Sequence, residues 1–243
     1  MKRFLTISLF AIAALGWPAA AQAQAPRRSH EFQFRFGGFF PSGDGTFWQD
    51  TQDTFTLHPS DFDDFAFGFS FVTPIDNHLE LGFNLDFYDQ TVRASYRDFA
   101  DQDGFPIFHD TRLELIPATV DLRFLPTGRY AIRGGSTQRR VLHPVPYFGA
   151  GVGVLFWKYE EVGDFIDFSV VPNEIFYSRF VDDGTTFEAH ALAGVELPMS
   201  PEWTILFEGR YSWVDDNLGG DFGGLGSLDL GGFYGYVGFA FRF

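Results

Sequence analysis

The sequence predicts an all-β protein: an eight-stranded antiparallel up-and-down transmembrane β-barrel, preceded by a cleaved signal peptide. Three observations lead there. Apolar residues recur on every second position in eight separate segments, and past the N-terminus no apolar run reaches the ~18 residues of a membrane helix. The connections alternate between short and long, as they do when a membrane barrel keeps its turns on one side and its loops on the other. The chain ends in G-G-F-Y-G-Y-V-G-F-A-F-R-F, with Phe233, Val237, Phe239, Phe241 and Phe243 on alternate positions to the last residue. A terminus ordinarily frays, so an apolar stripe carried to its end needs a neighbouring strand and an apolar solvent.

The leader reads from three features. Met1-Lys2-Arg3 is basic, Phe4 to Gly16 is apolar apart from Thr6 and Ser8, and Ala21-Gln22-Ala23 is a small-x-small cleavage signal. This divides the chain into a signal peptide, 1–23, cleaved near Ala23, and a barrel domain, 24–243. With no Cys in the chain, neither a lipid anchor at the cleaved N-terminus nor a disulfide is available. Formal charge is -15, and removing Lys2 and Arg3 takes it to -17, the wrong sign for a nucleic-acid partner. The 33 Phe exceed what a soluble β-sandwich would use.

The segments follow in order. Phe32, Phe34, Phe36 and Phe40 oppose Glu31, Gln33 and Arg35; then Phe65, Phe67, Phe69 and Phe71 oppose Ala66, Gly68 and Ser70. Leu79, Leu81, Phe83, Leu85 and Phe87 oppose Glu80, Asn84, Asp86 and Tyr88. In the fourth segment Leu113 and Leu115 oppose Arg112 and Glu114, but past Pro117 it is Ala118, Val120, Leu122 and Phe124 that oppose Thr119, Asp121 and Arg123. That shift predicts a bulge at the proline, which cannot donate to a ladder. Phe148, Ala150, Val152, Val154 and Phe156 then alternate with Tyr147, Gly149, Gly151 and Gly153, glycines that suit curvature. Ala189, Ala191, Ala193 and Val195 oppose Glu188, His190 and Glu196; Ile205, Phe207 and Tyr211 oppose Glu208, Arg210 and Ser212. In the last strand Tyr234, Tyr236, Gly238 and Arg242 take the other face.

Short turns fall at 74–77 and 198–201, and long loops at 41–64, 89–111, 159–186 and 214–228. An even strand count leaves both termini on the short-turn, periplasmic side. The first loop holds six acids and no Lys or Arg, while the connection 125–142 holds Arg129, Arg133, Arg139 and Arg140 and no acid. Trp157, Trp203 and Trp213 stand at strand ends, where aromatic girdles form.

On these elements the chain resembles the small outer-membrane β-barrel proteins of the OmpW, OmpA and OmpX type. The matching residues are Pro146-Tyr147-Phe148-Gly149-Ala150-Gly151-Val152-Gly153, then Ala193-Gly194-Val195-Glu196 before a short turn, and the terminal aromatics. The resemblance implies the bacterial outer membrane as location, with Phe239, Phe241 and Phe243 as the signal read by the outer-membrane assembly machinery. It also implies a structural role, or the passage of small molecules. The basic connection 125–142 departs from the short turn usual there.

The chemistry-bearing candidates are the polar residues of the inner face: Arg35, Glu80, Asp86, Asp121, Arg123, Glu188, His190, Glu208, Arg210 and Arg242. They could line a narrow path. An eight-stranded barrel is filled by its own side chains, however, and buried charges are tolerable when paired, which favours a closed charge network. His190 between Glu188 and Glu196 falls short of a metal-ligand set. His58-Pro59-Ser60 suggests the His-x-Ser arrangement of outer-membrane lipid A deacylases, but a loop proline spoils the geometry a base needs to reach a nucleophile. No enzyme and no cofactor is therefore expected. The acidic loops, with Asp61, Asp63, Asp64, Asp182 and Asp183, offer carboxylates to divalent cations. The expected partners are outer-membrane lipid and lipopolysaccharide and the assembly machinery, with a surface-loop binding protein as the alternative reading.

Overall fold

The computed structural model describes residues 29–133, 137–140, 143–170 and 172–243; the leader lies outside them. The strict two-residue alternation makes eight barrel strands: β1 (Glu31–Pro41), β2 (Asp64–Pro74), β3 (Leu79–Ala100), β4 (Pro106–Phe124), β7 (Val145–Asp167), β8 (Glu174–Pro198), β9 (Trp203–Trp213) and β12 (Gly232–Arg242). Two small pairs sit in connections: β5 (Tyr130–Arg133) with β6 (Thr137–Arg140), and β10 (Asp215–Asn217) with β11 (Ser227–Asp229). The first loop folds into helix α1 (Thr46–Thr54) and a 3-10 turn at Pro59–Phe62.

The barrel closes in the order β1-β12-β9-β8-β7-β4-β3-β2, each pair antiparallel. Closure joins the two ends of the chain, with Glu31 opposite Arg242 and Phe32 opposite Phe241. Closure leaves the sheet no open edge within the apolar belt, where lipid could not supply the missing hydrogen bonds. The outward faces of these strands are a belt of exposed Phe, Leu and Val that includes Phe34, Phe69, Phe83, Val120, Val154, Phe207 and Phe239. The inward faces carry the buried polar side chains. A soluble barrel has the opposite arrangement; this one is a transmembrane barrel.

The belt ends at a charged row. Asp89, Glu114, Lys158 and Asp183 stand directly opposite one another on β3, β4, β7 and β8, side chains outward. Above that row polarity inverts. The outward face becomes charged, and the inward face is an apolar plug that starts just below the row at Leu155, Leu115 and Trp157 and continues above it through Leu113 and Tyr159. Three sequence expectations are corrected by this inversion. Pro117 makes no bulge: β4 keeps one register through it, from His109↔Gly163 to Phe124↔Phe148, and odd-numbered residues face inward throughout. The apparent shift is a change of surroundings rather than of register. The stretches 89–111 and 159–186 are not open loops but the continuation of paired strands, reaching Ala100↔Pro106 and Asp167↔Glu174. Trp157 does not join a girdle; it points inward, 4% exposed, and donates to Asp216 at 2.9 Å, whereas Trp203 and Trp213 face outward.

The position of the inversion gives an expected outcome. Replacing Phe83 in mid-belt by Arg costs about 2–4 kcal/mol of stability in vesicles. The same change at Thr91, outward but above the charged row, costs close to none. Urea-unfolding midpoints in lipid vesicles, read as the shift between folded and unfolded gel bands, check both.

Candidate functional site

The lumen is built in layers, because inward residues on neighbouring strands face one another at each height. The lowest layer lies at the short-turn mouth. Arg242 donates to Glu31 at 2.8 Å and Glu196 at 3.2 Å. Arg129, from the connection after β4, turns into the barrel and bridges Glu80 at 2.6 Å and Glu196 at 2.9 Å. All five side chains are 5% exposed or less.

The layer above is denser. Arg35 donates to Asp86 at 2.7 Å and Glu208 at 2.6 Å, and Arg210 donates to the other Asp86 oxygen at 2.7 Å. Arg123 holds Asp121 at 2.8 Å and also reaches Gln33 and Asn84. Asn84 ties Ser70 to Asp121, and the Tyr147 hydroxyl donates to Glu208 at 2.9 Å. Charge-assisted bonds of this kind are short and directional, and removing one partner strands the other in a low-dielectric site.

This layer requires glycine in the wall. A Cβ on Gly68 would stand 1.9 Å from the Asp86 carboxylate oxygen, and one on Gly151 would stand 2.6 Å from the His190 ring. Gly151, expected to serve curvature, makes room for the His190 ring and also for the Val120 carbonyl of the neighbouring strand, 2.5 Å from such a Cβ.

Arg35, Glu80, Asp86, Asp121, Arg123, Glu188, His190, Glu208, Arg210 and Arg242 all face inward and are buried. Eight of them join the two layers just described. Glu188 and His190 stand apart, 3.7 Å from each other, with neither carboxylate oxygen and neither ring nitrogen hydrogen-bonded within the protein. The sequence reading placed Arg129 only in a basic connection, and left it, Glu31, Gln33 and Tyr147 out of the network. Glu31, Gln33 and Tyr147 had a signal, since they share the parity of charged neighbours. Arg129 had none, because it belongs to no strand.

Over the polar layers sits the plug. Phe39, Tyr88, Tyr234 and Tyr236 from the strands meet Phe47 and Trp48 of α1, Leu57 and Phe62 of the first loop, and Leu218, Phe222 and Leu228 of the last. Trp48 is fully buried and donates to the Asp229 carbonyl at 2.9 Å, pinning the first loop to the last. Tyr88 donates to the Phe62 carbonyl.

Other candidates are placed elsewhere. The His58 ring bonds Gln52 at 3.1 Å, and its backbone N–H donates to Asp61, so it serves as a loop cap. Asp182 and Asp221 accept the Gly219 and Val181 amides, and among the described residues no three acids or histidines converge on a common point.

Above the charged row, two buried titratable groups lie inside the extended hairpins. Burial holds His109 down to about 4, against its ordinary 6.5. Burial pushes Glu161 up to about 7 from 4.5, although it accepts the Tyr159 hydroxyl at 2.8 Å.

The chain shares its fold with the outer membrane protein OprG from Pseudomonas aeruginosa, at 13% identity and TM-score 0.53, over 89% of this chain and 97% of that one. Lower scores join it to Neisserial surface protein A, at 11% identity, TM-score 0.44 and 88% and 96% coverage, and to the N-terminal barrel domain of Pseudomonas aeruginosa OprF, at 12%, 0.40, 89% and 98%. No family model and no curated protein matches the sequence.

Gly68→Ala must push Asp86 away from both arginines. The expected loss is about 3–5 kcal/mol, the cost of breaking a buried pair. Gly235→Ala, outward with its nearest neighbour at 3.5 Å, is expected to be neutral in the same unfolding assay.

The two titrating groups oppose each other in pH. Between about 6.5 and 4 the unfolded chain protonates His109 and the folded one does not, so stability falls as pH falls. Between 4.5 and about 7 the folded chain keeps a proton on Glu161 that the unfolded one releases, so stability falls as pH rises. Relative to wild type, His109→Phe should therefore lose stability with rising pH and Glu161→Gln with falling pH, each by up to about 1.4 kcal/mol per unit. Unfolding midpoints from pH 4.5 to 6.5 check the two signs.

Proposed function

We propose that this protein is a closed outer-membrane barrel, a structural component of the envelope that holds two long hairpins above the bilayer and does not act as a pore. The observation that carries this is the double obstruction of the lumen. Paired charges bolted by Arg129 fill the short-turn end, and an aromatic plug around Trp48 fills the loop end. Both are buried, so neither offers water a continuous route. The reading as a passage for small molecules would need both obstructions to move.

Outer-membrane placement is supported by the lipid-facing belt, the loop asymmetry and the fold shared with OprG. The outward Phe239, Phe241 and Phe243 at the end of β12 fit the role of assembly signal. Lipid and lipopolysaccharide are the natural partners of the belt and of the collar above it, where Arg112 pairs with Asp89 at 2.5 Å and Arg179 with Glu160 at 2.6 Å. That collar mixes both signs, as a surface beside phosphate groups and their counter-cations would. No cofactor and no catalysis enter this reading.

Single-channel recording tests it. Refolded protein, shown folded by its heat-dependent gel mobility, is expected to leave a planar bilayer silent. Discrete steps that change when Arg35 or Glu208 is neutralised would establish the passage role instead.

A further inference from the structure

We infer that the fork between the two extended hairpins is a binding cleft for an extended cationic peptide carrying apolar side chains. The inference rests on the reading of the hairpins as a displayed surface. It starts from a break in the sheet. The β4–β7 ladder stops at His109↔Gly163, where Gly163 has φ +153°. Both hairpins continue beyond it, β3–β4 to Ala100↔Pro106 and β7–β8 to Asp167↔Glu174. Above the fork, β4 and β7 are therefore edge strands facing a gap, and an edge is a template for an added strand.

The gap is a cavity of about 750 Å³, within the ordinary range of ligand sites. Its walls are apolar: Phe99 and Ile107 on one hairpin, Ile166, Val170 and Ile175 on the other. Ile107 and Ile166 are buried at its base, while Phe99, Val170 and Ile175 stay exposed. The hairpins are also tied together at the base of the fork, which fixes its shape and takes up the Ile166 edge amide. Phe99 packs edge-on against Phe168 with ring centres 5.1 Å apart, and the Tyr96 hydroxyl accepts the Ile166 amide at 3.2 Å. A preformed cleft saves the cost of ordering two free hairpins on binding.

Charge selects the occupant. Residues 98–110 and 164–178 together hold seven acids, Asp98, Asp101, Asp103, Asp110, Asp164, Asp167 and Glu174, and no Lys or Arg. Asp101, Asp103 and Glu174 stand at the cleft itself. An extended peptide alternates its side chains, so apolar residues can enter the cleft while Lys or Arg on the other positions meet the acidic rim. An anionic ligand is repelled, and a purely polar cation leaves the apolar walls unused.

The test is fluorescence anisotropy with a labelled alternating Lys-Leu octapeptide and the full folded barrel in nanodiscs of zwitterionic lipid. Binding is expected, with octalysine about tenfold weaker and an alternating Glu-Leu octapeptide inert. Asp103→Asn with Glu174→Gln should weaken Lys-Leu binding about fivefold and flatten its salt dependence. Ile175→Ser, at a partly exposed wall position, should weaken it by a similar factor without that flattening. Octalysine binding as tightly as Lys-Leu, or affinities that none of these substitutions changes, would reduce the effect to general attraction by an acidic surface and overturn the cleft. Absence of binding overturns it too. Channel recording separates the two readings: a conducting barrel that still binds the peptide ends only the closed-lumen reading, and a silent one that does not bind ends only this one.

Discussion

The constraint on which the structure depends is that hydrocarbon cannot hydrogen-bond a peptide group. A sheet that crosses lipid must close on itself, and closure at eight strands fixes a lumen that side chains fill. The remaining features follow from what can occupy so narrow a space. The outward residues become Phe, Leu and Val, because their neighbours are acyl chains. The inward residues become a polar network, because so narrow an interior must be filled by side chains and buried charges are tolerable when paired. Five arginines, Arg35, Arg123, Arg129, Arg210 and Arg242, face seven carboxylates, Glu31, Glu80, Asp86, Asp121, Glu188, Glu196 and Glu208. Asp86, Glu196 and Glu208 each accept from two arginines, so the network is cross-linked around the wall rather than stacked in separate pairs.

The inversion above Asp89, Glu114, Lys158 and Asp183 divides the molecule functionally. Below it the barrel is a membrane protein, apolar outside and, beneath the foot of the plug, polar inside. Above it, the same four strands behave as a soluble β-protein, with a hydrophobic core inside and charge outside. Loop-derived Phe47, Trp48, Phe62 and Phe222 complete that core, and a second cluster of Tyr96, Ile107 and Ile166 joins the hairpins above it. What stands above the row is therefore a stiff, acidic scaffold rather than a set of free loops.

Much of this was legible in the sequence because a period of two assigns each residue to a face without ambiguity. The eight strand cores and the inward direction of all ten charged and histidine candidates follow from parity, and the closing contact of the last strand with the first follows from the terminal stripe's need for a neighbour in lipid. Two features were not legible, each for a physical reason. Parity identifies faces but not the medium beyond them, so the swap at Pro117 looked like a bulge and the hairpin extensions looked like loops. Trp157 was legible but misread: residue type suggested a girdle, while its odd number already placed it inside with Leu155 and Tyr159. Arg129 lies in a connection, where no period operates, and only the three-dimensional path shows that it turns back between Glu80 and Glu196.

The seam between β1 and β12 has a consequence for how the molecule is made. Its ladder joins residues about as distant in sequence as the chain allows, and the Arg242–Glu31 pair spans 211 positions. Contact order of that kind slows folding. All other barrel strands pair with neighbours reached earlier along the chain, so a nearly complete sheet can exist with two open edges. Those edges are the hazard of the pathway, since β1 and β12 of different copies are as complementary as those of one. The final ring closure must therefore outrun intermolecular pairing, and a helper that holds β12 until β1 arrives would be working on the slowest and most aggregation-prone step of biogenesis.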